Sequence, residues 1–232
     1  MVHFDQLIPD RLRTLPVRVA SWWRIVHAPD YLAAKAAYLG GFATVATFIT
    51  ACFVAATWLW DYAIDPANMP QTFQLRLLEA LAVLGLGAMM ARRPSGTAIR
   101  IALFVVPAFV QITFIEVLSR LDQGVAFGMG GFLYFFIFVP FIGQAQSLRF
   151  NIGLLAFLAA LPNALVVAGF GESLPLPIYN AYVWMVYPPI VLILAALEYL
   201  VFQVHTQHTL LRGDADTDFL TGLGNRRAFL QR

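Results

Sequence analysis

The chain has 232 residues, of which 60% are hydrophobic and only 12% are charged. Because soluble domains contain about 25% charged residues, this composition excludes an ordinary soluble fold and indicates a protein whose solvent is lipid. The single cysteine, Cys52, excludes a disulfide scaffold, and the net charge of +2 is too small to indicate a nucleic-acid partner.

The N-terminal segment, residues 1–37, is polar and carries several arginines, which predicts a cytoplasmic location. Within it, residues 16–27 predict an amphipathic helix that lies in the membrane interface. One face of this helix holds Val19, Trp22, Trp23 and Val26 at spacings of three and four. A collar that packs against the last transmembrane helix is the other interpretation, and the sequence leaves both open.

Residues 38–205 contain six apolar stretches that are long enough, or nearly so, to cross a hydrocarbon core, which needs about 20 helical residues. They predict an all-α integral membrane domain with six transmembrane helices. The predicted spans are residues 38–60, 73–91, 99–119, 126–147, 150–170 and 181–205.

The positive charges predict how these spans are oriented. Of the 15 lysines and arginines, all but Arg76 and Arg120 fall on one side of the membrane. Both termini are therefore predicted to be cytoplasmic. The loops at 61–72, 120–125 and 171–180 are predicted to face outward, with Asp61 and Asp65 in the first of them.

Seven polar side chains in the spans are candidates for a ligand-binding site, because polar groups are costly inside a bilayer. With alternating helices, all seven are predicted to face one vestibule that opens outward. Alternatively, Arg76 and Glu79 only pair with each other, and Glu116 reaches the lipid headgroups. The ligand is an unknown small molecule, and the phenylalanine-rich spans suit an apolar one. The candidates are Arg76, Glu79, Gln111, Glu116, Tyr134, Asn163 and Tyr187.

A heptad pattern begins in the sixth span and continues past it, with spacings of 4, 3, 4, 3 and 4 residues. Such a pattern is typical of two helices that pair along one seam, so it predicts a homodimer with residues 206–217 as a signalling linker. A plain amphipathic helix is the alternative, because the run covers fewer than three heptads. The seam residues are Ile193, Leu197, Leu200, Val204, Gln207 and Leu211.

Metal and cofactor sites are not predicted in this chain. His205 and His208 share a helical face, but no cysteine or carboxylate stands beside them to complete a metal site. The alternating aspartates at 214, 216 and 218 suggest a calcium loop. That loop is excluded because Phe219 replaces the required glycine and Asn225 replaces the required glutamate.

The end of the chain resembles the opening of a GGDEF, or diguanylate cyclase, domain, whose pattern is D-x-L-T-G-L-x-N-R-R. The matching residues are Asp218, Leu220, Thr221, Gly222, Leu223, Asn225, Arg226 and Arg227. The resemblance implies that residues 218–232 join a signalling helix to a domain that makes cyclic di-GMP from two GTP with Mg²⁺. The catalytic residues of that family lie downstream, so we expect this chain to be truncated just inside the domain and inactive as a cyclase by itself.

Six spans ahead of a GGDEF opening resemble the membrane-associated sensor domains called MASE domains. This resemblance implies a protein of the bacterial inner membrane that detects a signal in or outside the membrane and regulates the cyclase through a dimeric helix. A small six-helix transporter or permease is the alternative, although the sequence shows no inverted repeat. An intramembrane enzyme is disfavoured because no nucleophile and base are arranged together.

Overall fold

The computed structural model describes residues 15–171 and 174–216, which form helices joined by short turns and contain no strand. The predicted all-α class is therefore confirmed for this part of the chain. The helices are α1 (Leu15–Ile25), α2 (Pro29–Ile64), α3 (Phe73–Arg92), α4 (Thr97–Arg120), α5 (Gly124–Gly128), α6 (Phe132–Ile142), α7 (Leu148–Val167) and α8 (Leu176–Asp216).

Six helical segments of the described chain are long and apolar enough to cross a membrane, in agreement with the six predicted spans. The fourth combines α5 and α6 with two short 3₁₀ turns, Met129–Gly131 and Gly143–Ala145. The six segments are Pro29–Ile64, Met69–Arg92, Thr97–Arg120, Gly124–Ala145, Leu148–Val167 and Leu176–Thr209.

The start of the first span was predicted at residue 38, but α2 begins at Pro29. Proline suits the first turn of a helix, and the positive end of the helix dipole stabilises the negative charge of Asp30 beside it. This early start brings Lys35, which belongs to the polar segment 1–37, into the helix. Its side chain is only 2% exposed, and its Nζ donates to the carbonyl of Gln146 at 2.8 Å. The charge is therefore accommodated inside the helical bundle.

Other boundaries of the spans also differ from the prediction. Asp61 was assigned to an outward-facing loop, but it lies in the last turn of α2 and is buried. The fifth span ends at Val167, not at residue 170, because the chain turns at Gly169 with a left-handed φ of 82°. The sixth begins at Leu176 instead of residue 181.

The chain divides into two compact units, of which the larger is Lys35–Leu194. Within this larger unit α4 packs against α3, α5, α6 and α7, and it is the most buried of the candidate spans. Gly128 and Gly131 stand against α4, where a Cβ atom on either would collide with Leu118 or Phe114. These glycines therefore serve close packing within one chain.

The smaller unit comprises Met1–Ala34 and Ala195–Arg232. In it, α1 forms close to the predicted 16–27, and the Trp22 ring meets the Tyr199 ring of α8 edge-on at 6.4 Å between centroids. The contact is of the kind expected of a collar, whereas the position of α1 in the membrane interface stays a prediction. The GGDEF-like residues 218–227 lie outside the described residues.

Candidate functional site

The larger unit contains a cavity of about 480 Å³, lined by residues of α2, α3, α4, α5 and α6. Most of its wall is apolar, and seven aromatic rings contribute to it. Three ionisable side chains also line the cavity, namely the acidic Asp61 and Glu79 and the basic Arg76. The aromatic lining residues are Phe53, Trp60, Phe114, Phe127, Tyr134, Phe135 and Phe138.

The charged part of the wall arises because α2 and α3 are consecutive helices joined by a short connection. Asp61 lies in the last turn of α2, and Arg76 lies in the first turn of α3. Arg76 donates from Nε to Asp61 Oδ2 at 2.9 Å and from Nη2 to Oδ1 at 2.7 Å. Thr72 Oγ1 also donates to Oδ2 at 2.9 Å. The pair is therefore bidentate, the strongest arrangement of a guanidinium and a carboxylate.

Glu79 extends this network from α3 to α4. Its Oε2 accepts from Arg76 Nη1 at 3.0 Å, and its Oε1 accepts from Thr113 Oγ1 at 2.8 Å. The Glu79 side chain is fully buried, and the Arg76 guanidinium lies over the Phe114 ring at 5.4 Å from its centroid. Two carboxylates thus share one guanidinium next to an apolar cavity, where charges interact more strongly than in water.

Three of the seven candidate residues, Arg76, Glu79 and Tyr134, line this cavity. The Tyr134 and Phe53 rings meet in an edge-to-face arrangement at 4.7 Å between centroids. The pairing of Arg76 with Glu79 that we considered as an alternative is present, but Asp61 takes part in it as well. Ligand binding by these residues stays a prediction.

The other four candidates are not among the residues that line the cavity. Glu116 is exposed and pairs with Arg120 one turn away, at 2.9 Å. Asn163 exchanges side-chain hydrogen bonds with Asn180 of α8, at 2.8 and 3.0 Å. Tyr187 donates to the main-chain carbonyl of residue 152 at 3.3 Å. The structure thus does not bring all seven into one vestibule.

Gln111, the remaining candidate, is fully buried in α4. Neither polar atom of its side-chain amide has a hydrogen-bond partner in the described structure. The hydroxyl of Tyr179 donates to the main-chain carbonyl of Ala159 at 3.0 Å. The arrangement leaves an amide unsatisfied within the helical bundle, which is costly in an apolar medium.

Sequence reasoning missed Asp61 as a site residue, because it was counted as a loop aspartate. A usable signal was present: consecutive antiparallel spans place the end of α2 and the start of α3 at the same side of the membrane. An arginine in the first turn of the second span therefore has an acidic partner within reach at the end of the first. The spacing narrows the partner of Arg76 to Asp61 or Asp65, and the structure shows that it is Asp61.

Asp65 fixes the connection between α2 and α3. Its Oδ1 accepts from the main-chain N–H groups of Ala67 and Asn68, both at 3.1 Å. Its Oδ2 accepts from the Asn68 side chain at 2.7 Å and from the main-chain N–H of Asp122 at 2.8 Å. These hydrogen bonds, led by that of the Asn68 side chain, hold the pKa of Asp65 below its ordinary value. One carboxylate thus joins two connections of the bundle.

In the smaller unit, a second buried carboxylate joins α2 to α8. The Tyr31 hydroxyl donates to Glu198 Oε1 at 2.8 Å, and Glu198 is only 4% exposed. His205 meets the Tyr31 ring edge-on at 5.3 Å, and Phe202 lies at 6.4 Å from it. One face of α8 is therefore covered by side chains from the N-terminal segment.

The predicted seam of α8 lies on a different part of the helix surface. Ile193, Leu200, Val204 and Gln207 are exposed, with Leu200 at 59%, and Leu197 is half-buried. The side chain of Leu211 lies outside the described residues. The described seam is therefore open in a single chain, although pairing with a second copy stays a prediction.

A comparison with known families identifies the family to which this helical domain belongs. The family model MASE8 matches residues 59–212, which is more than half of the chain. The chain belongs to the MASE8 family. MASE8 is a family of membrane-associated sensors, so the chain contains a membrane sensor module. The matched residues include Asp61, Arg76 and Glu79 as well as α8 as far as residue 212. No curated protein and no solved structure gives a significant match to the chain.

Proposed function

We propose that this MASE8 module detects a signal in or outside the bacterial inner membrane and regulates a diguanylate cyclase domain that follows it. The observation that carries the proposal is the continuity of α8, which runs from Leu176 to Asp216. Asp218, the first residue of the GGDEF-like pattern, comes two residues later. A change in the membrane-spanning part of α8 is thus transmitted along one helix to the start of the output domain.

The proposed output requires two copies of the chain, because a diguanylate cyclase joins two GTP molecules held by two GGDEF domains. The heptad spacing from Ile193 to Leu211 supports a parallel homodimer through α8. The exposed side chains of Leu200 and Val204 are available for such a contact. In the dimer, a small rotation of α8 changes how the two output domains face each other.

The proposal is tested by joining residues 1–232 to the remainder of a GGDEF domain of known activity and measuring cyclic di-GMP formed from GTP. Two residues inserted between Gln207 and His208 rotate everything downstream by about 200°. Seven inserted residues restore the heptad phase. We expect the two-residue insertion to change basal activity by roughly tenfold, a typical size for coupling between sites. The seven-residue insertion is expected to leave activity near its original level.

The same insertions after Ser95, in the connection between α3 and α4, serve as the matched control, because this connection precedes α8 and does not lead to the output domain. They are expected to show no dependence on helical phase. Equal cyclase activity for both α8 insertions would contradict transmission through α8.

A further inference from the structure

We propose that the cavity binds a small amphipathic cation, namely a protonated amine attached to an aromatic or short alkyl body. The proposal rests on the sensor function above and names the class of ligand for the cavity between α2, α3, α4, α5 and α6. Its basis is the balance of charge in the cavity wall, the aromatic rings and the available volume.

The charge balance of the wall is negative. Asp61 is satisfied by the bidentate contact with Arg76 and by Thr72. Among the described residues, Glu79 receives only the remaining Arg76 contact, at 3.0 Å, and a neutral hydroxyl from Thr113. With every group ionised, two carboxylates face one guanidinium. A buried excess charge is costly, so a ligand cation beside Glu79 stabilises the site.

The same balance selects against other ligand heads. A carboxylate, such as that of a fatty acid, would add a third negative charge around a guanidinium whose Nε, Nη1 and Nη2 atoms already donate to Asp61 and Glu79. A neutral alcohol gains a hydrogen bond but does not offset the charge. The wall therefore selects ligands by the charge of their head group. A cation compensates the excess negative charge, whereas an anion adds to it.

The apolar part of the wall suits the body of such a molecule. Aromatic faces attract cations, and Trp60, Tyr134 and Phe53 line the same cavity as Glu79. The volume of about 480 Å³ lies within the range of pockets that bind small organic molecules. The ligand class is therefore a compact molecule with one positive end and an apolar remainder.

The test uses the 232-residue chain in nanodiscs of a zwitterionic lipid at pH 7. Three probes share a phenyl ring and differ in the head group: 2-phenylethylamine, 2-phenylethanol and phenylacetate. Binding is measured by isothermal titration calorimetry, with empty nanodiscs as the reference for partition into lipid. We expect the amine to bind at least about tenfold more tightly than the alcohol or the acid, the size of one favourable charge interaction.

Two pairs of variants test whether the probe occupies this cavity. Glu79→Gln keeps the shape and the acceptor for Thr113, and it is expected to remove the preference for the amine while the alcohol still binds. Glu116→Gln is the matched control, because Glu116 is exposed and outside the cavity lining. Gly130 lines the cavity and nothing lies within 4 Å of a Cβ there, so the added side chain of Gly130→Leu narrows the lined space and is expected to weaken binding of the amine. Gly153→Leu, with equally open surroundings outside the cavity, is expected to preserve it.

The proposal is overturned by absent amine binding, by equal or tighter binding of phenylacetate, or by equal losses for Glu79→Gln and Glu116→Gln. Binding is measured without an output domain, so its failure is separate from failure of the proposed cyclase regulation. Conversely, tight amine binding together with a joined cyclase that responds to neither ligand nor helix insertion would contradict the proposed function alone.

Discussion

Two buried carboxylates, Glu79 and Glu198, are held by different kinds of partner. Glu79 shares a guanidinium with Asp61 and borders a cavity. Glu198 accepts a hydrogen bond from the phenol of Tyr31, beside the ring of His205. The first arrangement places formal charges around open volume, which suits recognition of a charged ligand. The second uses a hydroxyl and aromatic rings to join distant parts of the chain, which suits a mechanical connection to α8.

The largest expected loss of stability follows from removing the positive charge of Arg76 beside Asp61 and Glu79. Arg76→Met leaves Asp61 and Glu79 without their countercharge, and breaking a buried ion pair in this way costs about 3–5 kcal/mol. We expect that decrease in the free energy of unfolding, measured by denaturation in mixed micelles and followed by circular dichroism.

Arg120→Met is the matched control, because Arg120 pairs with Glu116 at a similar distance but on an exposed surface. Its expected cost is below about 1 kcal/mol, as for exposed ion pairs in general. Similar losses in the free energy of unfolding for the two variants would show that burial does not strengthen the ion pairs of Arg76.

The second site is expected to respond more weakly, because Tyr31→Phe removes one hydrogen bond and no formal charge. The loss is about 1.5–3 kcal/mol, the range for one hydrogen bond to a charged group. Tyr182→Phe is the control, since Tyr182 also lies on a helix but is 49% exposed. If Tyr31→Phe is as harmless as Tyr182→Phe, the contact between Tyr31 and Glu198 does not stabilise the smaller unit.

The two sites also differ in how much of them the sequence could predict. The number of spans follows from the thickness of a bilayer, which any apolar helix must match. Arg76 and Glu79 stood out because ionisable groups are rare in such helices. Their partner Asp61 follows from the short connection between antiparallel neighbours, although we had assigned it to a loop.

Glu198 carries the same signal, because it is an ionisable residue within the predicted sixth span. Its partner Tyr31 does not follow from the sequence, because 167 residues separate the two. Glu198 interrupts the apolar end of the sixth span, and Tyr31 precedes the predicted first span. Their contact depends on the early start of α2 at Pro29, within the segment 1–37 that the sequence predicts to lie outside the spans. The cavity was equally beyond the sequence, since its volume depends on how far side chains from five helices fill the space between them.

A third prediction concerns the two faces of α8. Single cysteines, introduced in a Cys52→Ser background because Cys52 is exposed, are oxidised in membranes to detect pairing between copies. Positions on the open seam are expected to crosslink several-fold more than positions off the seam, where Tyr199 and Phe202 contact Trp22 and Tyr31. The seam positions are Leu197, Leu200, Val204 and Leu211, and the comparison positions are Ala195, Tyr199 and Phe202. Uniform crosslinking would mean that the heptad is only an amphipathic stripe.

Asp65 extends the comparison to a third kind of partner, because N–H groups, not a cation or a phenol, hold this carboxylate. Its ionised form accepts all of these hydrogen bonds, which is why its pKa lies below the ordinary value of 3.8. The contribution of Asp65 to stability is therefore fully present above pH 3.8. It is lost as the pH falls through the lower pKa of the folded protein.

The smallest expected effect is the loss of this pH dependence in Asp65→Asn. The asparagine cannot accept at both side-chain positions, so the variant is less stable than the original chain above pH 3.8. The difference in the free energy of unfolding should shrink as the pH is lowered below 3.8, because protonation removes the advantage of the aspartate. Denaturation of both chains at pH 6, 4 and 2.5 measures this difference.

Asp122→Asn is the control, since it retains the main-chain N–H that donates to Asp65. Its difference in stability from the original chain should not shrink in this way as the pH is lowered. A difference for Asp65→Asn that stays constant down to pH 2.5 would mean that the ionised carboxylate is not what joins the two connections.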